Sequence, residues 1–193
     1  SDLLALRKTI TIKPKQEIYF NLLISVYENR EEVIKNIREY KNEEKIKRAF
    51  ELSKAKADTE ARYLNLNAKQ IETYQRMLGY ILVSNEIKNK DGYKREFYPK
   101  EELWKYGISG DLPILVVKIK DSNEVKILQD VLKAFEFYRL KNIELDLVII
   151  NEEPNSYEKY TKEAIQNTIL NANMGYLQNV KGGIFIFDND DVE

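Results

Sequence analysis

Three short apolar runs, Ile114 to Ile119, Leu145 to Ile150 and Ile184 to Phe187, constrain this chain more than any other feature in it. Each has the length of a strand and is rich in β-branched or aromatic residues. Helix-length stretches separate them, which is the pattern of parallel β-α-β crossovers. The first run is entered through Trp104-Lys105-Tyr106-Gly107-Ile108-Ser109-Gly110-Asp111-Leu112-Pro113. An amphipathic approach, two glycines around a serine, an acid and a proline predict a short helix over Pro99 to Trp104, a left-handed cap at Gly107, a turn and then a buried strand. Between the runs, Val125, Leu128, Val131, Leu132 and Phe135 recur at helical spacing within Glu124 to Lys141, and a second crossover helix is expected over Tyr157 to Asn171.

Upstream the period changes twice. Leu3 to Ile12 and Glu17 to Val26 alternate apolar and polar positions around Lys13-Pro14-Lys15-Gln16, as half-buried strands do. Two strands alone are marginal in water. They are therefore expected to finish a sheet whose other members precede Ser1, or to pair with a second copy as a homodimer through exposed strand edges. From Glu28 the spacing is helical. Asn29 is placed to cap a first helix, a second starts near Glu43 with Ile46, Ala49, Phe50 and Ala57 inward, and a third is capped by Asn67 and carries Ile71, Tyr74, Met77, Leu78, Ile81 and Leu82. A polar stretch from Asn85 to Lys100, with the turn pair Asp91-Gly92, marks a boundary. The expected fold class is thus α/β, or α+β overall. A β-hairpin or sandwich remnant over 1–27 leads to a helical linker over 28–98 and a small three-layer βαβαβ unit with a parallel sheet over 99–193. Strand patterns this close to both ends suggest an excised segment of a larger protein.

The chemistry is narrower than the architecture. One third of the residues are charged, yet the formal net charge is only -1, so no basic field exists to attract nucleic acid. The chain has no Cys and no His, which removes thiol nucleophiles, thiolate metal sites and the usual neutral-pH proton shuttle. No apolar run approaches the ~20 residues that span a bilayer, so no membrane contact is expected of this segment, and a cytoplasmic setting fits the absence of Cys. No catalytic constellation is present, and no catalytic residue, cofactor or metal is assigned.

Two places carry candidate function. The first is the corner Trp104, Tyr106, Gly107, Ser109, Gly110 and Asp111, either a structural turn or a ligand contact. Ligands of open parallel sheets bind beyond the carboxyl ends of strands, and this turn precedes its strand, which favours the structural role. The second is the carboxyl edge itself, with Asp121, Asn123, Asn151, Glu152, Glu153, Asp188, Asp190 and Asp191. Converging oxygens there would suit Mg²⁺ or Ca²⁺, whereas acids dispersed at strand ends would cap the following helices. Ala134, Phe135 and Tyr138 offer a sugar-stacking platform or, at helical spacing, ordinary core.

The block Leu103 to Ile114, followed by Ala134-Phe135-Glu136-Phe137-Tyr138-Arg139-Leu140-Lys141 and by Leu145-Asp146-Leu147-Val148-Ile149-Ile150-Asn151-Glu152, resembles a segment of the cyclic β-1,2-glucan synthases. These large bacterial proteins carry modules similar to cellobiose phosphorylase, glycoside hydrolase family 94, formerly glycosyltransferase family 36. Leu4 to Pro14 also looks like the end of that family's β-sandwich. The resemblance implies a middle segment of a parent in which a helical barrel, bearing the catalytic acid and phosphate site, lies beyond Glu193. It implies a parent, membrane-associated through other segments, that handles β-linked glucans by glycosyl transfer or phosphorolysis. The segment itself would support the barrel or touch glucan. The alternative is an autonomous α/β module that binds a divalent metal or small ligand at its acidic edge.

Overall fold

The computed structural model describes residues 7–83, 98–153 and 160–191. The chain divides into two compact units, Ser1–Lys56 and Ala57–Glu193.

In the first unit no strand forms among the described residues. Gln16 N–H donates to Lys13 O at 3.0 Å, so the expected turn is present. The flanking segments, expected as a hairpin or sandwich remnant, have no ladder partner among the described residues. The reason is physical: Ile12, Phe20, Leu22 and Ile24 are all exposed, and a hairpin with no third strand or helix beneath it buries too little to hold. Helix α1, Arg30–Glu39, starts where Asn29 was expected to cap it, the Asn29 side chain accepting the Glu32 N–H at 3.0 Å. Helix α2, Glu43–Tyr63, begins in this unit and ends in the second. Phe50 and Ala57, expected inward, are exposed. Among the described residues α2 buries only Glu60.

The second unit is built on a three-stranded parallel sheet. Strands β1, Ile114–Ile119, β2, Asp146–Asn151, and β3, Ile184–Asp188, lie in the order β1-β2-β3. Ile114 pairs with Asp146, and Leu147 pairs with Ile184. Helices α4, Val125–Leu140, and α5, Tyr160–Asn171, make the crossovers. With a strand order that never reverses, right-handed connections put both helices on one face. Leu115, Val117, Ile119, Leu147, Ile149 and Ile184 point to that face and meet Leu128, Leu132, Phe135, Ile165 and Ile169. Ala134, Phe135 and Tyr138 are fully buried, which makes them core and not a sugar platform.

Helix α3, Ala68–Leu82, joins the same core. Asn67 and Gln70 cap it reciprocally, each side chain bonding the other's backbone N–H. Its one buried side chain, Tyr74, packs on Phe137 with ring centroids 5.9 Å apart, and the Tyr138 hydroxyl donates to Tyr74 O at 2.7 Å. Leu82, at the last helical position, is exposed. The other sheet face, with Val148, Ile150 and Phe185, is covered by Leu103, Tyr106 and Ile108, which gives the unit a thin third layer. No described helix is long and apolar enough to cross a membrane. The expected turn at Asp91-Gly92 lies outside the described residues, as do the first residues expected of the second crossover helix.

Candidate functional site

The corner before β1 is closed by its own side chains. Lys100–Tyr106 winds as a 3₁₀ helix, longer than the expected Pro99 to Trp104 turn, and stops at Gly107, whose φ of 75° lies in the left-handed region. The exposed indole of Trp104 donates from Nε1 to Ser109 O at 3.3 Å. Tyr106 turns inward, meeting Phe187 edge-on at 5.4 Å. Ser109 Oγ accepts the Asp111 N–H at 3.3 Å. Gly110 has φ 73°, and a Cβ there would lie 3.0 Å from Lys100 Cβ. Asp111 then accepts Lys100 Nζ on one oxygen at 2.9 Å and Lys181 Nζ on the other at 3.1 Å. The hydrogen bond from Lys100 is the largest influence holding the Asp111 carboxyl below its ordinary pKa, with Lys181 next. Both carboxylate oxygens are thereby occupied, and the turn ties the entry of β1 to the loop before β3.

At the carboxyl edge the described acids are engaged in pairs and caps. Glu152 pairs with Lys118 at 2.6 Å. Asp188 accepts Lys162 Nζ at 2.6 Å on one oxygen and Asn151 Nδ2 at 3.1 Å on the other. Both Glu153 oxygens accept the Thr161 N–H in the first turn of α5, at 3.2 and 3.3 Å. Asp121 Oδ1 accepts the N–H groups of Asn123 and Glu124 ahead of α4, at 2.7 and 3.3 Å. Asp191 accepts the Asp188 N–H at 3.3 Å. Among the described residues no group of three acids is arranged to hold a metal ion. Capping and ion pairing account for these contacts.

A cavity lies elsewhere, on the helical side of the sheet. It is an open groove of about 700 Å³ between the end of α2, helix α4 and the turn after α5. Leu132 and Met174, both buried, contribute to its floor. Tyr63 and Tyr176 line it while remaining 72% and 70% exposed, so their rings are open to solvent. Gln129, Lys133, Glu136 and Asn171 supply its polar wall. Glu136 is already paired with Arg139 at 3.4 Å.

No family model matches this chain. Over 158 residues it is 25% identical to the cyclic β-(1,2)-glucan synthase NdvB of Rhizobium meliloti strain 1021. The relationship is distant. The match takes in 80% of this chain but only 6% of that synthase, so the chain spans a small part of the curated relative it resembles.

Several structural keys lay outside what sequence patterns singled out. Asp146 sits inside the second apolar run and is fully buried, with Oδ1 accepting the Gly182 N–H at 2.8 Å. Its signal was a lone acid heading a strand that is otherwise buried throughout, matched by the pair Gly182-Gly183 ahead of β3. Glu60, also buried, pairs with Lys141 at 2.7 Å across 81 residues, and no local pattern marks it. The groove likewise escapes sequence patterning, because Tyr63 and Tyr176 are far apart in the chain.

Proposed function

We propose that this chain is a non-catalytic α/β section of a large bacterial enzyme acting on β-linked glucans. The observation that carries this reading is the likeness to a cyclic β-(1,2)-glucan synthase many times longer than the matched region. The dispersed acids of the carboxyl edge support it too, since each is engaged in capping or pairing. In this reading the parent performs glycosyl transfer or phosphorolysis as a relative of glycoside hydrolase family 94, with its catalytic acid on a helical barrel supplied by other residues. Residues 1–27 complete a β-sandwich of that parent, 28–98 form a helical linker, and 99–193 form the α/β unit on the cytoplasmic side. The exposed apolar positions around Lys13–Gln16 suit a sheet completed by the parent.

The test incubates this chain alone with β-1,2-glucan, once with inorganic phosphate and once with a nucleotide-sugar donor. The expected result is no glucose phosphate released and no chain extension; turnover by the isolated chain would overturn the non-catalytic assignment. A melting series with Mg²⁺ and Ca²⁺ addresses the metal-binding alternative, because a ligand bound only by the folded state raises the melting temperature. No metal-dependent rise is expected.

A further inference from the structure

We infer that the groove walled by Tyr63, Tyr176 and helix α4 is a binding site for an uncharged gluco-oligosaccharide. The substrate class rests on the proposed function above, while the location comes from the groove itself. A site for a small organic ligand generally pairs an apolar floor with a few convergent polar groups in some 300–1,000 Å³. This groove, at about 700 Å³, has that make-up. Leu132 and Met174 give the floor, and the amides of Gln129 and Asn171 supply both donors and acceptors. Hydroxyl groups need that mixed character, because each donates and accepts.

Charge separates a sugar from the other candidates. Among the described residues the wall carries one lysine, Lys133, and one glutamate, Glu136, the latter neutralised by Arg139. Phosphorylated, nucleotide or acidic ligands would meet a single lining cation and nothing to share their remaining charge. A neutral polyol needs no such partner. Tyr63 and Tyr176, about 70% exposed at one groove, offer ring faces that suit the C–H face of a pyranose while each hydroxyl stays in water.

The groove and the Trp104 corner lie on opposite faces of the sheet, since α4 packs on one face and Leu103 to Ile108 on the other. The chain has a single Trp, so the two locations report separately.

The experiment titrates the whole chain with a β-1,2-gluco-oligosaccharide by calorimetry and by following side-chain amide resonances, with maltose-series and cellulose-series oligosaccharides alongside. Binding of a β-gluco-oligosaccharide is expected to shift the Gln129 and Asn171 amides and leave Trp104 emission unchanged. Tyr63→Ala and Tyr176→Ala are each expected to weaken the dissociation constant at least about tenfold, the equivalent of one lost ring contact. Both side chains are exposed, so unchanged melting temperatures keep the comparison clean. Binding that survives both substitutions but is lost in Trp104→Ala would overturn the groove assignment and leave the glucan reading standing. No binding of any glucan by the chain would overturn the groove assignment as well, whereas the proposed function is judged separately by the turnover assay.

Discussion

The carboxylate of Asp146, first residue of β2, holds the backbone N–H of Gly182 at 2.8 Å with no solvent contact. The bond fixes the loop ahead of β3, next to the point where Leu147 N–H donates to Gly183 O at 2.9 Å. Its second oxygen, Oδ2, is buried without a hydrogen-bond partner. Burial is the largest influence on this group and pushes its pKa above the ordinary 3.8, against the smaller opposing pull of the Gly182 N–H, Lys181 and the Gly183 N–H.

A pH dependence follows from the direction of that shift. Because the folded value lies above the unfolded one, the native state holds this proton more tightly. The stability it contributes is complete below the unfolded value and is lost as pH rises through the folded value. Asp146→Asn keeps an acceptor for Gly182 but does not titrate. The melting temperature of the variant minus that of the natural chain is therefore expected to increase as pH rises from below the ordinary carboxylate value through the higher folded one. Every other carboxylate is common to both proteins and cancels in the difference. A difference that falls with pH would contradict the assignment.

Glycine substitutions separate close approach from helix propensity. A Cβ at Gly183 would lie 2.1 Å from Leu177 O and 2.7 Å from Val180 O, both backbone atoms that cannot step aside without moving the loop. Gly183→Ala is expected to cost roughly 3 kcal/mol, at the upper end of ordinary point substitutions. Gly79 sits inside α3, and a methyl group added there would meet nothing within 4 Å. Gly79→Ala is expected to stabilise by roughly 0.5–1 kcal/mol through helix propensity. Urea melts of the two variants should move the midpoint in opposite directions.

The Tyr138 hydroxyl ties α4 to α3. Burial pushes its pKa up to about 12, and the neighbouring Tyr74 adds to the shift. Tyr138→Phe removes the 2.7 Å bond to Tyr74 O and is expected to cost about 1 kcal/mol. In an alkaline absorbance titration, the late-ionising tyrosine signal should shrink in the variant. Amide exchange should accelerate in α3 more than in β2.

Asp111 bridges Lys100 and Lys181 in the open. Its pKa is lowered, chiefly by the Lys100 hydrogen bond, so its contribution is present above the unfolded value and is lost as pH falls through the folded one. Exposure and salt screening keep the effect small. Asp111→Asn is expected to lower the melting temperature slightly at low ionic strength and not at all in about 1 M salt, where the Debye length is only ~3 Å. A salt-independent loss would mean that the turn's backbone, and not its charge, had been disturbed.

Local spacing was enough to place the three strands and their crossover helices. The run Ile114–Ile119 matches the observed β1 residue for residue, and β2 and β3 differ from expectation only at their ends. Caps at Asn29, Asn67 and Gly107 were legible because a cap is set by residues within one turn of it. The contacts of Ser109 and Asp111 run within the corner ahead of β1 and, through Lys181, to the loop before β3. Tertiary structure alone decided the rest. Alternation around Lys13–Gln16 describes a surface that wants a partner, but forming a strand requires that partner to be present, and none is found among the described residues. Residue types at the carboxyl edge allowed either convergence or capping; that Glu152 and Asp188 pair with lysines while Glu153 accepts from the start of α5 is visible only in three dimensions. The burial of Asp146, the Glu60–Lys141 pair and the groove between Tyr63 and Tyr176 join residues distant in the chain. Periodicity reports which face of an element is apolar; which elements meet there is settled by packing.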